Sequence, residues 1–171
     1  APIMDVAITR RQGSVPMAGV PYHSCDTYIA RLIAAGKKVA IAEQQPDPDN
    51  PRLMRRSVRR VISQGTIVED SLLKDSSHNY LMGLVSGGNR GGAAFADIST
   101  GDFFCYELAA DSQEGVLQRA RDLISRFRPS EIALPSSLLS VASDAIPEAR
   151  GIFSATEDWK SSPTEGMRQI R

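Results

Sequence analysis

The sequence predicts an α/β protein in two parts: an α+β N-terminal unit, then a mixed β-sheet with flanking helices. Three observations carry that expectation. Short runs alternate apolar and polar residues with period two, while Val116–Phe127 repeats at i, i+3, i+4 and i+7, so strands and helices are both present. The net charge of zero conceals a division: residues 1–66 hold 10 Lys and Arg against 5 Asp and Glu, and residues 67–171 hold 10 against 15. Between them, residues 67–78 follow neither period and read as a linker, giving domains at 1–66 and 79–171.

In the first part, residues 3–9 are expected as a strand and Gln12-Gly13-Ser14 as a turn. Asp26 is expected to cap a helix with Ile29, Leu32 and Ile33 on one face, ended by Gly36, with a strand following over Lys38–Ala42. Residues 45–52 contain three prolines and three Asp or Asn, so they read as a loop before a strand at Ser57–Ile62. In the second part, Asn79–Val85, Ala93–Ser99 and Asp102–Leu108 predict a three-stranded antiparallel meander, with the Gly-rich residues 86–92 as a hairpin loop. Asp111 and Glu114 are spaced as a capping box at the head of the helix that Pro129 ends. Glu131–Leu134 returns as a strand, Ser136–Ser143 as a short helix and Gly151–Ala155 as a strand. A βββαβ order opens a ribonuclease-H-like sheet, its fourth strand added beside the first by a helical crossover.

Both ends read as cut. The chain begins with alternating Ile3, Val6 and Ile8, as though inside an element. Ser162-Pro163-Thr164-Glu165 signals a helix start with only six residues after it.

Composition excludes several classes. With 42% hydrophobic and 23% charged residues and no apolar run near the roughly 18–20 that a span requires, a bilayer protein is not expected. No secretory signal is read, and Cys25 and Cys105 are too few for a disulfide framework, so a reducing, cytoplasmic location is expected. The positive charge gathers at Arg10-Arg11, Lys37-Lys38 and Arg52–Arg60, arrays that neutralise phosphates, although a solvated face is the alternative.

Catalytic chemistry is largely missing. A two-metal nuclease needs converging carboxylates; Asp97, placed mid-strand, is the one candidate, Asp102 and Glu107 complete no constellation, and Asp97 reads better as a turn-bonding carboxylate. His23 and His78 lie at no metal-ligand spacing and are expected to be structural. Residues 86–92 lack the Gly-Lys-Ser/Thr ending of a P-loop and join strands. No cofactor or metal site is therefore expected in this chain.

Pro16-Met-Ala-Gly-Val-Pro-Tyr-His23, Tyr28-Ile-Ala-Arg-Leu32 and Gly36-Lys-Lys-Val-Ala-Ile-Ala-Glu-Gln44, in that order and spacing, resemble the mismatch-recognition domain of the MutS family. The likeness continues through Arg56-Ser-Val-Arg-Arg-Val-Ile62 and Gly65-Thr66. Asn79-Tyr-Leu81 and Asp97-Ile-Ser-Thr-Gly-Asp-Phe103 then resemble its connector domain. Ala42 stands where the bacterial pattern usually has Cys, and Ser63-Gln64 where it has Thr-Pro; neither removes a chemical group the likeness depends on.

The resemblance implies a non-enzymatic piece of a DNA mismatch-repair protein. Arg10, Arg11, Met17 and Pro21 would approach the duplex, the last two as apolar minor-groove contacts, with Arg56 and Arg60 near phosphate. Its other implications are a parent ATPase using ATP and magnesium at a site outside this chain, a homodimeric parent, mispaired double-stranded DNA as ligand, and a MutL-like partner meeting the connector. The family's Phe-x-Glu mismatch probe is expected upstream of Ala1. GDFFCYEL at 101–108 mimics that string, but it is set aside because Phe103 and Glu107 fall in a connector strand and are expected on different faces. The alternative function is a ribonuclease-H-like metal-dependent nuclease.

Overall fold

The computed structural model describes residues 3–11, 15–50, 52–68 and 78–170. These form two compact units, the first running to Gln64 and the second comprising Gly65–Val68 and residues 78–170.

The first unit is built on two hairpins and a helix. Strands β1 (Thr9–Arg11) and β2 (Val15–Met17) pair antiparallel, Thr9 opposite Met17 and Arg10 opposite Pro16. The strand expected over 3–9 is confined to its far end. Residues 3–5 form a turn in which Asp5 takes φ 50°, a left-handed conformation that ends an extended run. The expected turn at 12–14 lies outside the described residues.

Helix α1 (Cys25–Ala34) buries Ile29 and Ile33. Asp26 sits in its first turn; Ser24 holds the capping position and makes no side-chain cap bond. The other end closes as expected: Gly36, at φ 71°, donates to the Ile33 carbonyl and Lys37 to that of Leu32, the two bonds of a Schellman motif.

Strands β3 (Val39–Pro46) and β4 (Met54–Ile62) make a longer ribbon than the prolines suggested. Asp47 closes it: its backbone N–H donates to the Leu53 carbonyl and its Oδ1 accepts from the N–H groups of Asp49 and Asn50. This side-chain turn lets pairing continue out to Pro46 opposite Met54, so only 47–53 remain as loop. The register slips where Ile41 faces Arg60 but Ala42 faces Val58, a bulge that leaves Arg59 without an opposite residue.

In the second unit, β5 (Tyr80–Gly87), β6 (Arg90–Asp97) and β7 (Asp102–Ala109) form the expected meander. Helix α2 (Gln113–Phe127) crosses over to β8 (Glu131–Pro135), then α3 (Leu139–Ala145) leads to β9 (Phe153–Thr156), and α4 (Pro163–Ile170) follows. The sheet order is β7-β6-β5-β8-β9, with β8 parallel to β5 and β9 parallel to β8. That is the ribonuclease-H-like arrangement, fourth strand beside the first.

Helix α2 lays Val116, Leu117, Ala120 and Ile124 on Met82, Leu84, Phe95, Ile132 and Leu134. Phe95 stacks on Phe104 with ring centres 5.2 Å apart, and Tyr80 meets both edge-on, a geometry that aligns ring edges with ring faces. The cap of α2 is Ser112, whose Oγ accepts from Gly115 N–H at 3.2 Å; Asp111 lies one residue too early. Arg128 ends the helix at φ 48°, just before Pro129.

Two strand assignments are corrected. Residues 86–92 are mostly strand, with a two-residue turn at Gly88-Asn89, because Gly91 must lie under α2: a Cβ there would come within 2.8 Å of Val116 Cγ1 and 2.5 Å of the Val85 carbonyl oxygen. Phe103 and Glu107, four apart in a strand of period two, share a face after all, and both are exposed. Their likeness to the mismatch probe fails for the other reason, since β7 belongs to the second unit's sheet.

Candidate nucleic-acid interface

The residues proposed from sequence to meet DNA all lie in the first unit, on its two hairpins and the segment that follows the first of them. Arg10 is exposed on β1, and Met17, 42% exposed, ends β2, where its carbonyl accepts from Thr9 Oγ1 at 3.3 Å. The chain then runs through Ala18, Gly19 and Val20 to Pro21, which is exposed and opens a single 3-10 turn over Tyr22–Ser24, the Ser24 N–H bonding back to the Pro21 carbonyl. Proline suits this position, because its fixed φ is already close to what the turn needs. The Arg11 side chain lies outside the described residues.

Tyr22 is the surprise. It is 97% exposed and stands free of any core. It is the first residue of the 3-10 turn that Pro21 opens.

The β3–β4 ribbon carries the rest. Residues 42–46 and 54–58 are exposed on both faces of the ribbon. Arg55, Arg56 and Arg59 are exposed and Arg60 is half-buried, opposite Ile41. Arg59 Nε donates to Glu43 Oε2 at 2.8 Å across the ladder, with both side chains more than half exposed. Among the described residues, neither Arg55 nor Arg56 has an ion-pair partner. Leu53, Met54 and Val58 are exposed beside them at 59%, 53% and 61%. The two hairpins are separate two-stranded ladders.

The carboxylate weighed as a nuclease residue has a different environment. Asp97 is the last residue of β6 and its side chain is fully buried. Burial works to raise its pKa, but hydrogen bonds from the Ser99 hydroxyl and the backbone N–H groups of Asn79, Ser99 and Thr100 outweigh burial and hold it below the usual value. Its oxygens are thus committed to its own surroundings: Oδ1 to Ser99, and Oδ2 to Asn79 with His78 Nδ1 3.5 Å away. His78 stacks on Tyr80, centres 4.9 Å apart. Among the described residues, no group of three or more His, Cys, Asp or Glu is placed to hold a metal ion. A shallow trough of about 630 Å³ on the sheet face away from α2 is floored by Gly83, Gly92, Ala94 and Ala133 and offers little polar chemistry.

The geometry describes a two-unit α/β protein: one unit exposes basic and apolar groups on hairpins, and the other is a ribonuclease-H-like sheet whose buried Asp97 carboxylate is bonded to its own neighbouring backbone. Residues 1–71 match the family model for MutS domain I, and residues 79–171 that for MutS domain II. The chain belongs to the MutS family. It is 43% identical over 136 residues to the DNA mismatch repair protein MutS of Leptospira interrogans serovar Lai, covering 79% of this chain and 16% of that protein. The MutS of Thermotoga maritima is 36% identical over 169 residues, covering 98% and 20%, and that of Methanothrix thermoacetophila 36% over 138 residues, covering 77% and 15%. The chain therefore spans about a fifth or less of the relatives it matches. Among the described residues no helix is long and apolar enough to cross a membrane.

Proposed function

We propose that this chain contributes duplex-backbone contacts and a connector to a mismatch-repair protein that binds mispaired DNA. In this reading it performs no catalysis itself. The observation that carries it is the bare basic ribbon: Arg55 and Arg56 stand exposed and unpaired among the described residues, beside exposed Met54 and Val58, on a domain whose relatives are mismatch-repair proteins. Guanidinium groups held off carboxylates are available for phosphate, and apolar side chains beside them can enter a minor groove. Arg10, Arg11, Met17, Pro21, Arg56 and Arg60 are the contacts assigned, with Tyr22 added on its exposure.

The second unit is the connector, coupling DNA binding to the nucleotide state of an ATPase site elsewhere in the parent, where ATP and magnesium act, and docking a MutL-like partner. The parent is a cytoplasmic homodimer. Residues 1–66 and 79–171 serve as the two functional domains, with 67–78 joining them.

Fluorescence anisotropy of a labelled duplex titrated with the chain at low salt tests the first part. The expected result is weak binding that falls steeply with salt and does not distinguish a mismatch, since no Phe-x-Glu occurs in the sequence. Absent or salt-insensitive binding sinks the proposal; strong mismatch selectivity overturns the part about the probe.

A further inference from the structure

We infer that Asp97 is a latch that makes two backbone segments of the second unit open and close as one: the residues leading into β5, His78 and Asn79, and the turn between β6 and β7. One oxygen serves each segment. Oδ2 accepts from Asn79 N–H at 2.9 Å, and Oδ1 accepts from Ser99 N–H at 3.0 Å and Ser99 Oγ at 2.6 Å. The turn is further closed on the same residue, Gly101 N–H donating to the Asp97 carbonyl at 2.8 Å.

The coupling follows from burial. An ionised carboxylate out of water is tolerated only while its donors stay in place, so losing one segment's bonds leaves the charge under-compensated. Water entering to compensate that charge competes for the remaining donors as well. Simple fraying at the end of the β5–β6 ladder predicts the reverse, with the lead-in loosening alone while the turn keeps its own bonds. Among the described residues, the charged groups facing the lead-in are the carboxylates of Asp97 from β6 and Asp102 from β7, whose Oδ2 is 3.8 Å from His78 Nδ1, and the ring beneath His78 is Tyr80 of β5. Ile98, at the head of the turn, is 47% exposed, which makes the turn the accessible end of the device. Whatever grips that turn also fixes the chain leading into the central strand.

Native-state hydrogen exchange of the 171-residue chain tests this, read at the amides of Asn79 and Ser99 with Leu117 and Ala120 of α2 as internal references. Asp97→Asn can accept with only one atom, so exchange at both amides should speed by at least about tenfold more than at the α2 references, the loss of one charge-assisted bond. The sharper variant is Ser99→Ala, which alters only the turn side and removes no buried charge. It should speed exchange at Asn79, 20 residues away in sequence, as well as at Ser99. Acceleration at Ser99 alone, no change at either amide, or an equal rise in the α2 references each overturns the latch. Should Asp97→Asn fail to fold, Ser99→Ala decides alone.

Discussion

Arg56 and Arg59 belong to one basic cluster in the sequence but differ in what they can do. Arg59 shares its guanidinium with Glu43, while Arg56, like Arg55, is exposed and has no ion-pair partner among the described residues. If the ribbon meets phosphate, Arg56→Ala should weaken duplex binding uniformly across sequences and reduce the slope of log K against log salt by about 0.9, whereas Arg59→Ala should change it less. An unchanged slope in Arg56→Ala removes that residue from the interface. A different constraint acts at Gly65, whose N–H donates to the buried Glu131 carboxylate at 3.2 Å. A Cβ there would lie 2.9 Å from Glu131 Cβ and 3.1 Å from Leu81 Cβ. Gly65→Val should therefore destabilise the second unit by about 1–3 kcal/mol through overpacking, read from the urea midpoint. Neither distinction is legible in sequence. A run of arginines does not say which one finds a carboxylate, and a glycine near a predicted linker looks like a flexible joint until the strand it lies against is known.

At the scale of elements, α2 was the most legible because its information is local. Of the positions the 3.6-residue period selects, Val116, Leu117, Ala120 and Ile124 are buried, while Leu123 and Phe127 are partly buried against the same core. The cap moved by one residue, from Asp111 to Ser112, since both are good capping types and only backbone conformation chooses between them. That choice is testable: Ser112→Ala should cost about 1 kcal/mol in denaturant unfolding, while Asp111→Ala should cost little. The ribbon was less legible. Prolines at 46, 48 and 51 argued for a loop from residue 45, but the Asp47 side chain tightens the turn and leaves Pro46 at a strand end. The Gly-rich hairpin was misread for a related reason, because Gly91 answers to a helix 25 residues on and not to a turn.

Across the whole molecule, the charge asymmetry separates a basic hairpin-bearing unit from an acidic sheet unit, and each has a distinct response to solution conditions. Asp97 is held below the ordinary aspartate value, so its bonds contribute stability above the unfolded pKa, about 3.9, and that contribution is lost as pH falls through the lower folded value. Unfolding of the second unit followed by urea midpoint from pH 7 downward should steepen in that acid range, and Asp97→Asn should flatten the profile there; identical profiles would show that the carboxylate is not linked to folding. By itself the sequence determined the α/β class, the meander, the crossover helix and the family, because periodicity, turn residues and ordered motifs are written in near neighbours along the chain. Only the tertiary structure decided that Tyr22 stands in solvent, that Arg59 is spent on Glu43, and that Asp97 is sealed between Asn79 and Ser99. Those outcomes depend on which atoms come within about 3 Å across long loops, and hydrogen bonding and desolvation are settled at that distance.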